Sequence, residues 1–347
     1  SGTSALFVAL QSLDSWATRA LNKGNKSFRR IHVDLPSYTF IADAEAILHA
    51  NHLPSFIDID KNDYCMERFD SGNAIKLPVH TLGNICPPER FIYGCRKQII
   101  EDCAQAIGSK WRGKRAGCFG DLAIFSFQGT KTISTGEGGM VACDDEGLYE
   151  RLCAIRNHGD MYKHLYPNPK YPYLENLLGY NLRMTELQAC VGRCQLRKAD
   201  KFVASFKRNA ELIFELLPEG ITQPYIPKEV SHGYFILCCL WQRKPSLRDK
   251  FLAKLNYRRK KAGMFWEGTK KASPIGGVNA PPGNIVGAGY SSPLYDYPLY
   301  RKYKRSCPNT EELIKKSVWI DLHRFTTEEK ILKEMELFNK VYKEIDG

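Results

Sequence analysis

The stretch EDCAQAIGSKWRGKRAGCFGDLAIFSFQGTKTISTGEGGMVACDDEGLYERLCAIRNHG occupies residues 101–159 and decides the fold. Its apolar runs Leu122–Phe127 and Met140–Cys143 are short and bounded by turn residues, which is typical of strands. The segment Gly147–Arg156 that follows has its apolar residues at helical spacing. Strands and a helix are therefore expected within this one stretch.

The same alternation extends toward the N-terminus. Apolar runs bounded by turn signals predict further strands, and helical spacing predicts the helices between them. The predicted strands are Arg30–Leu35, Pro54–Ile59, Ile75–Val79 and Gln98–Glu101, and the predicted helices are Thr3–Leu21 and Ile41–Asn51. This pattern is typical of an α/β domain with a mostly parallel sheet flanked by helices.

The C-terminal part has a different character. A long helix is predicted from Met184 to about Leu217, because few helix breakers interrupt it. Beyond it lie two strand-like runs, a Gly/Pro-rich stretch and a last helix, at Tyr234–Trp241, Ser317–Ile320, Ser273–Gly289 and Thr327–Ile345. A chain of 347 residues exceeds the usual size of one core. We therefore predict a large domain over residues 1–200, and a linking helix with a small C-terminal domain over residues 201–347.

Twelve cysteines raise the question of metal sites and disulfides. No Cys-x-x-Cys pair occurs, and Cys190 and Cys194, four residues apart, have no histidine nearby, so no metal site is predicted. Most of the others stand among apolar residues, which is typical of reduced, buried thiols in a cytoplasmic protein. No apolar run approaches the ~20 residues that a membrane helix needs, so no membrane partner is expected.

The formal charge of +12 favours anionic partners. The densest basic runs, Arg258–Lys261 and Arg301–Arg305, lie in no recognisable nucleic-acid-binding motif. We therefore expect no nucleic-acid partner. The excess of positive charge suits a small anionic substrate such as a nucleotide diphosphate.

Four local features of the first domain can carry chemistry. Asp102 follows a strand at the edge where α/β sheets bind ligands, although an acid there also caps helices. Ser126 and Lys131 leave another strand and can hold a phosphate and aim an amine into one cleft, although most lysines lie on the surface. The glycine-rich turn Thr135–Met140 allows close backbone approach. The helix start Ser1–Thr3 offers N–H groups suited to a phosphate.

The stretch 101–159 strongly resembles the DegT/DnrJ/EryC1 family of sugar aminotransferases. Similar motifs flank it in the family's order: PSYTFIADAEAIL (36–48), PVHTLGN (78–84) and GYNLRMTELQACVGRCQL (179–196). The resemblance implies the type I fold of aminotransferases that depend on pyridoxal 5'-phosphate. It also implies a homodimer whose active sites are shared between the subunits.

The resemblance also implies roles for single residues. Lys131 would be the catalytic residue and would carry the cofactor as a Schiff base. Asp102 would pair with the pyridine nitrogen, Gln105 would contact the ring, Phe40 would stack on it, and Ser126 with Gly2 and Thr3 would bind the phosphate. Asn181 would reach the phosphate of the cofactor in the partner subunit, and His323 would contact the substrate.

The physical chemistry of the residues agrees with two of these roles. The cofactor is an electron sink only while its ring nitrogen is protonated, and a neighbouring carboxylate such as Asp102 favours that form. Lys131 must be neutral to act as a nucleophile or a base, and burial lowers the pKa of a lysine.

The resemblance narrows the reaction but leaves the substrate open. Relatives that act as sugar dehydratases have His where this chain has Lys131, so transfer of an amino group from glutamate or glutamine to a keto sugar is expected. The run GTKTISTGEGG (129–139) most resembles the perosamine type, which aminates nucleotide-linked 4-keto-6-deoxyhexoses. The run GYSSPLYDYPLYRKY (289–303) is similar to enzymes that aminate keto-cyclitols such as scyllo-inosose.

The chain also departs from the family pattern. Members normally have a few dozen residues before the Ser1–Thr3 element, so an N-terminal segment is expected to be missing here. The stretch Tyr64–Asn84 is shorter than usual. A further hypothesis is therefore a family member that binds the cofactor but is catalytically idle.

Overall fold

The computed structural model describes residues 1–13, 30–68, 75–92, 98–160, 178–262, 286–287, 289–322 and 326–346. Eight α-helices lie within these ranges: α1 Gly2–Leu13, α2 Ile41–His49, α3 Glu146–Arg156, α4 Glu186–Leu196, α5 Ala199–Glu215, α6 Pro245–Lys261, α7 Pro308–Lys316 and α8 Glu328–Asp346. None of these described helices is long and apolar enough to cross a bilayer.

The first sheet has six strands in the order β2-β1-β3-β4-β7-β8. Its strands are β1 His32–Pro36, β2 Leu53–Ile57, β3 Ile75–Lys76, β4 Gln98–Asp102, β7 Leu122–Ser126 and β8 Gly139–Ala142, with the short hairpin β5 Lys110–Trp111 and β6 Lys114–Arg115 outside it. Every pairing is parallel except β7 with β8. The predicted α/β fold with a mostly parallel sheet is confirmed.

The second sheet has four short strands in the order β12-β13-β11-β9. Its strands are β9 Ile221–Thr222, β11 Ile236–Trp241, β12 Val286–Gly287 and β13 Ser317–Asp321, and β10 Val230–Ser231 pairs instead with β5. The pairings within this sheet are antiparallel. The stretch 273–289 lies largely outside the described residues.

Two apolar cores correspond to the two sheets. In the first, α1 packs its buried face, including Leu6 and Leu10, against the parallel sheet. Each fully buried leucine contributes about 1.5–3 kcal/mol to stability. Tyr295 and Tyr300 come from the C-terminal part of the chain but pack in this first core. A division into domains at residue 200 therefore stays a prediction.

The predicted helix Met184–Leu217 is wrong in one respect, because it consists of two helices. Helix α4 ends before Arg197 and α5 begins at Ala199. The amide of Lys198 donates to Gln195 O at 2.9 Å, an i→i−3 bond that tightens the last turn. The two helices face different surroundings, since α5 buries a face in the second core whereas α4 has no buried residue.

The cysteines of the described residues are all free thiols. Six of these eleven are buried, whereas Cys118, Cys190 and Cys194 are exposed. The six buried thiols pack as small apolar groups in the cores.

Two buried histidines predict acid-sensitive stability. Burial lowers the pKa of His52 to about 4 and that of His232 to about 3. Below pH ~6.5 the histidines of the unfolded chain therefore become protonated while the buried ones of the native state stay neutral. The free energy of unfolding decreases as the pH falls from about 6.5 toward the native pKa values. His232→Asn keeps an acceptor for the Tyr234 amide. Between pH 7 and pH 4.5 we expect the free energy of unfolding to fall by about 2–3 kcal/mol less in the variant than in wild type.

Urea unfolding at the two pH values measures this effect. The matched control is His32→Asn, because His32 is exposed on β1. An equal loss of stability in wild type and His232→Asn would contradict the assignment of a neutral buried imidazole.

Candidate active site

The ends of two neighbouring parallel strands position the first site residues. β4 ends at Asp102 and β7 ends at Ser126, and Asp102 lies opposite Ile124 in the register of the two strands. Lys131 follows in the turn after β7. Because carboxyl ends of parallel strands share one edge of a sheet, all three residues lie at the same edge.

Asp102 is fixed by its backbone and by its side chain. Its amide donates to Pro78 O at 2.9 Å and its carbonyl accepts from the His80 amide at 3.0 Å. The side-chain oxygen Oδ1 accepts from the Ala104 amide at 2.7 Å, and the residue is only 7% exposed. The carboxylate is thus held in place before any ligand binds.

A second acid, Glu101, supports this strand end from the opposite face. Its carboxylate accepts from the amides of Gly117, Phe119 and Gly120, at 3.0, 2.6 and 2.6 Å. Because His80 Nδ1 accepts from the Cys86 amide, its Nε2 carries the proton that is donated to Glu101 at 2.8 Å. Burial acts to raise the pKa of Glu101, but these hydrogen bonds outweigh it and the pKa is lowered. Glu101 is therefore a structural anion.

Glu101 also belongs to a group that has the chemistry of metal ligands. Within the described residues, His80, Glu101 and Cys103 place donor atoms within 4.8 Å of one another. The imidazole and the carboxylate are already used in hydrogen bonds to each other and to the amides of Cys86, Gly117, Phe119 and Gly120. They fix the strand end that carries Asp102.

Lys131 brings its amine to the same place. Burial lowers the pKa of this amine, while Asp102 and then Asp43 act in the opposite direction. Nζ lies 4.8 Å from the centre of the Phe235 ring. A lysine with a lowered pKa is a better nucleophile and base near neutral pH, which is the chemistry expected of this position.

The helix start of α1 lies against Ser126. A Cβ added at Gly2 would stand 2.8 Å from Ser126 Cβ and 3.1 Å from Ser126 Oγ, so only glycine fits without movement. The first amides of a helix have no partner within it and carry the positive end of the helix dipole. Gly2, Thr3 and Ser126 therefore form a cradle with donors suited to a phosphate.

Aromatic and amide groups form the remaining wall. Gln105 Oε1 accepts from the Leu82 amide at 2.8 Å, and the Tyr290 hydroxyl is hydrogen-bonded to Gln105. Phe40, just before α2, packs against a cluster that includes Tyr290 and Trp319. These groups give the site one apolar side and one hydrogen-bonding side.

Two predicted site residues are not gathered here. Asn181 is exposed and forms an isolated bridge with Asn157. His323 lies outside the described residues, so its role stays a prediction.

Three further residues were missed by sequence reasoning: Asp43, Phe235 and Tyr290. Asp43 had only the signal of an acid in a first helical turn, and the two aromatic residues had no local signal.

The described residues fit a phosphorylated pyridine aldehyde. Lys131 offers an amine that would suit the aldehyde, Asp102 a fixed carboxylate that would suit the ring nitrogen, and the cradle around Ser126 donors that would suit a phosphate. The close approach of Gly2 to Ser126 leaves these donors unobstructed by a side chain.

Comparisons with known proteins point the same way. The model of the DegT/DnrJ/EryC1/StrS aminotransferase family matches residues 1–274. A GDP-perosamine synthase from Escherichia coli O157:H7 is 32% identical over 266 residues, which are 73% of this chain and 68% of that protein. A putative L-glutamine:3-amino-2,3-dideoxy-scyllo-inosose aminotransferase from Streptoalloteichus tenebrarius is 32% identical over 232 residues, 64% of this chain and 50% of that protein.

A solved structure extends the similarity over the whole chain. The aminotransferase from Psychrobacter cryohalolentis matches with a TM-score of 0.80 at 26% identity, and the match covers 100% of this chain and 86% of that one. The similarity thus includes both sheets.

Proposed function

The chain belongs to the DegT/DnrJ/EryC1/StrS family of sugar aminotransferases, which depend on pyridoxal 5'-phosphate, and from this premise we propose its reaction and its site residues. It moves an amino group from glutamate or glutamine to the keto group of a nucleotide-linked 4-keto-6-deoxyhexose. The observation that carries the proposal is the assembly of Lys131, Asp102 and Ser126 at one sheet edge.

Each side chain has a distinct task in this proposal. The bound cofactor supplies an electron sink for the bond that must break at the amino-bearing carbon. Lys131 Nζ would hold the cofactor, and its amine would move the proton at the amino-bearing carbon of the substrate. Asp102 keeps the ring nitrogen protonated by its negative charge. Both tasks depend on groups that are fixed in advance.

The other site residues bind and orient. Ser126 and the amides of Gly2 and Thr3 would hold the phosphate of the cofactor. Phe40 covers a ring face and excludes water, and Gln105 contacts the ring from the side that the Leu82 amide fixes. His323 remains our candidate for the substrate contact.

A homodimer with shared active sites is part of the proposal. Helix α4 has no buried residue, and Leu187, Val191 and Leu196 on it are 82%, 48% and 63% exposed. Exposed apolar residues of this size on one helix are typical of a protein–protein interface. Asn181 lies just before this helix and, on this proposal, serves the phosphate site of the partner subunit.

Cytoplasmic localisation is also proposed. The cysteines of the described ranges are free thiols, as expected in a reducing compartment. The net charge of +12 supports an anionic nucleotide-sugar substrate, because a positively charged protein attracts anions.

Two alternatives to this reaction are kept. The similarity to the scyllo-inosose aminotransferase supports a keto-cyclitol as the acceptor. The second alternative is a family member that binds the cofactor without turnover. An active enzyme and an idle family member differ in their reaction with glutamate, because only the active enzyme accepts its amino group.

One screen separates these possibilities. The cofactor-loaded protein is incubated with glutamate or glutamine and either a GDP-linked 4-keto-6-deoxyhexose or scyllo-inosose, and the products are identified by mass spectrometry. We expect an aminated nucleotide sugar. An aminated cyclitol alone would replace the proposed acceptor. Conversion of neither donor by a protein that has bound the cofactor would establish the idle alternative.

A further inference from the structure

Asp43 is a second carboxyl group at the site that the proposed reaction leaves unused. It lies in the first turn of α2 and is 2% exposed. Its side chain lies beside that of Asp102, and the Thr39 hydroxyl donates to its Oδ2. The chain thus places two acids in contact where the cofactor chemistry requires one.

Two buried carboxyl groups in contact cannot both be ionised, because the like charges repel each other in a medium of low dielectric constant. Asp102 accepts a backbone N–H from Ala104, which stabilises its anion. Asp43 accepts the Thr39 hydroxyl and is the more deeply buried of the two carboxyl groups, at 2% exposed against 7% for Asp102, and burial disfavours the charged form. The single proton of the pair therefore belongs on Asp43.

The other polar groups around Asp43 favour the same distribution. Burial, and then the charge of Asp102, raise the pKa of Asp43 well above its usual range, whereas Thr39 and then Lys131 act in the opposite direction. The Tyr290 phenol also faces this group and has a raised pKa, mainly through its own burial. Lys131 is thus the one cation that acts on Asp43 among the groups described here.

We propose that Asp43 is a positioning residue that stays protonated and donates its O–H to the Asp102 carboxylate, so that Asp102 remains the single anion presented to the cofactor. This inference rests on the proposed function for its purpose. A lone anion holds the ring nitrogen protonated, whereas a second one beside it would also keep Lys131 protonated and therefore unreactive.

The apo protein tests the proton directly. Asparagine matches a protonated Asp43, because it accepts from Thr39 and donates to Asp102, and it cannot ionise. A group with a raised native pKa contributes stability below its unfolded pKa that is lost as the pH rises. Wild type should therefore lose stability relative to Asp43→Asn above pH ~4. We expect the Tm advantage of the variant to grow by about 2 °C or more between pH 4 and pH 8.

Two further variants make this comparison decisive. Glu45→Gln changes a half-buried acid on the same helix and should show no such trend. Asp43→Ala cannot titrate either and should show the same trend with pH at a lower overall Tm. A Tm difference that stays constant, or one that falls as the pH rises, would mean that Asp43 is ionised in the native state and would overturn the inference.

Binding of pyridoxal 5'-phosphate separates positioning from mere packing. We expect Asp43→Asn to keep the Kd within about threefold of wild type and Asp43→Ala to weaken it about tenfold, because only alanine removes the donor to Asp102. Equal losses in both variants would contradict positioning. If wild type binds no cofactor, the proposed function fails, while the pH comparison in the apo protein still decides the state of Asp43.

Discussion

Lys131→Ala is expected to abolish turnover, with kcat falling at least about 10³-fold. The variant loses both the covalent hold on the cofactor and the base that moves the proton, and general acid–base catalysis alone contributes about 10²–10⁴. The amine stands over Phe235, with Asp102 and Asp43 close enough to act on its pKa. Kinetics with glutamate as donor measure the loss.

Covalent trapping supplies an independent readout. Borohydride reduction of the cofactor-loaded wild type should leave the cofactor's mass on the peptide that contains residue 131, and the variant should show no such adduct. Added methylamine should restore part of the lost rate, because a free amine can enter the space that the side chain vacates. The control Lys201→Ala removes an exposed lysine from α5 and should behave as wild type. An adduct on the variant would refute the assignment.

The sheet edge was predictable because its signals are local. Short apolar runs followed by Asp102 and by Ser126 fix both strand ends, and alternating strands and helices make these strands parallel. The structure brings the two residues to the same edge, with Lys131 in the following turn. The spacing of the apolar residues thus predicted the fold, and the polar residues after each strand indicated where the site lies.

The rest of the site depends on contacts that no local pattern records. Strands β2 and β3 lie between Asp43 and Asp102 in the sequence. An acid in a first helical turn ordinarily faces solvent and interacts favourably with the helix dipole. Phe235 lies under the Lys131 amine, and Tyr290 packs in a cluster with Tyr38, so both reach the site from the C-terminal part of the chain. Such residues become visible when distant segments are placed in three dimensions.

The break between α4 and α5 was unpredictable for a related reason. Neither Arg197 nor Lys198 is a helix breaker, and each has good helix propensity. Helix α5 buries Phe206 and Ile213 in the second core, whereas α4 remains outside it. Tertiary packing decides such a boundary, and helix propensity alone cannot reveal it.

Asp102→Asn should separate cofactor binding from catalysis. The amide oxygen can still accept the Ala104 N–H, and Lys131 and the phosphate cradle are unchanged, so the affinity for pyridoxal 5'-phosphate should stay within about tenfold. Without the negative charge the ring nitrogen loses its proton and the electron sink weakens. Electrostatic groups of this kind contribute about 10²–10³ to kcat, and we expect a loss of that size in both half-reactions.

A matched acid at the other end of the strands controls for general effects. Asp121 also accepts a backbone N–H, from Ile99 at 2.8 Å, but it stands just before β7, at the edge opposite the site. Asp121→Asn should therefore leave kcat within about twofold, because exposed substitutions away from a site change little. If Asp102→Asn turned over as fast as Asp121→Asn, the charge at residue 102 would have no part in the chemistry. The fixed carboxylate at the end of β4 would then be only a structural feature of the strand.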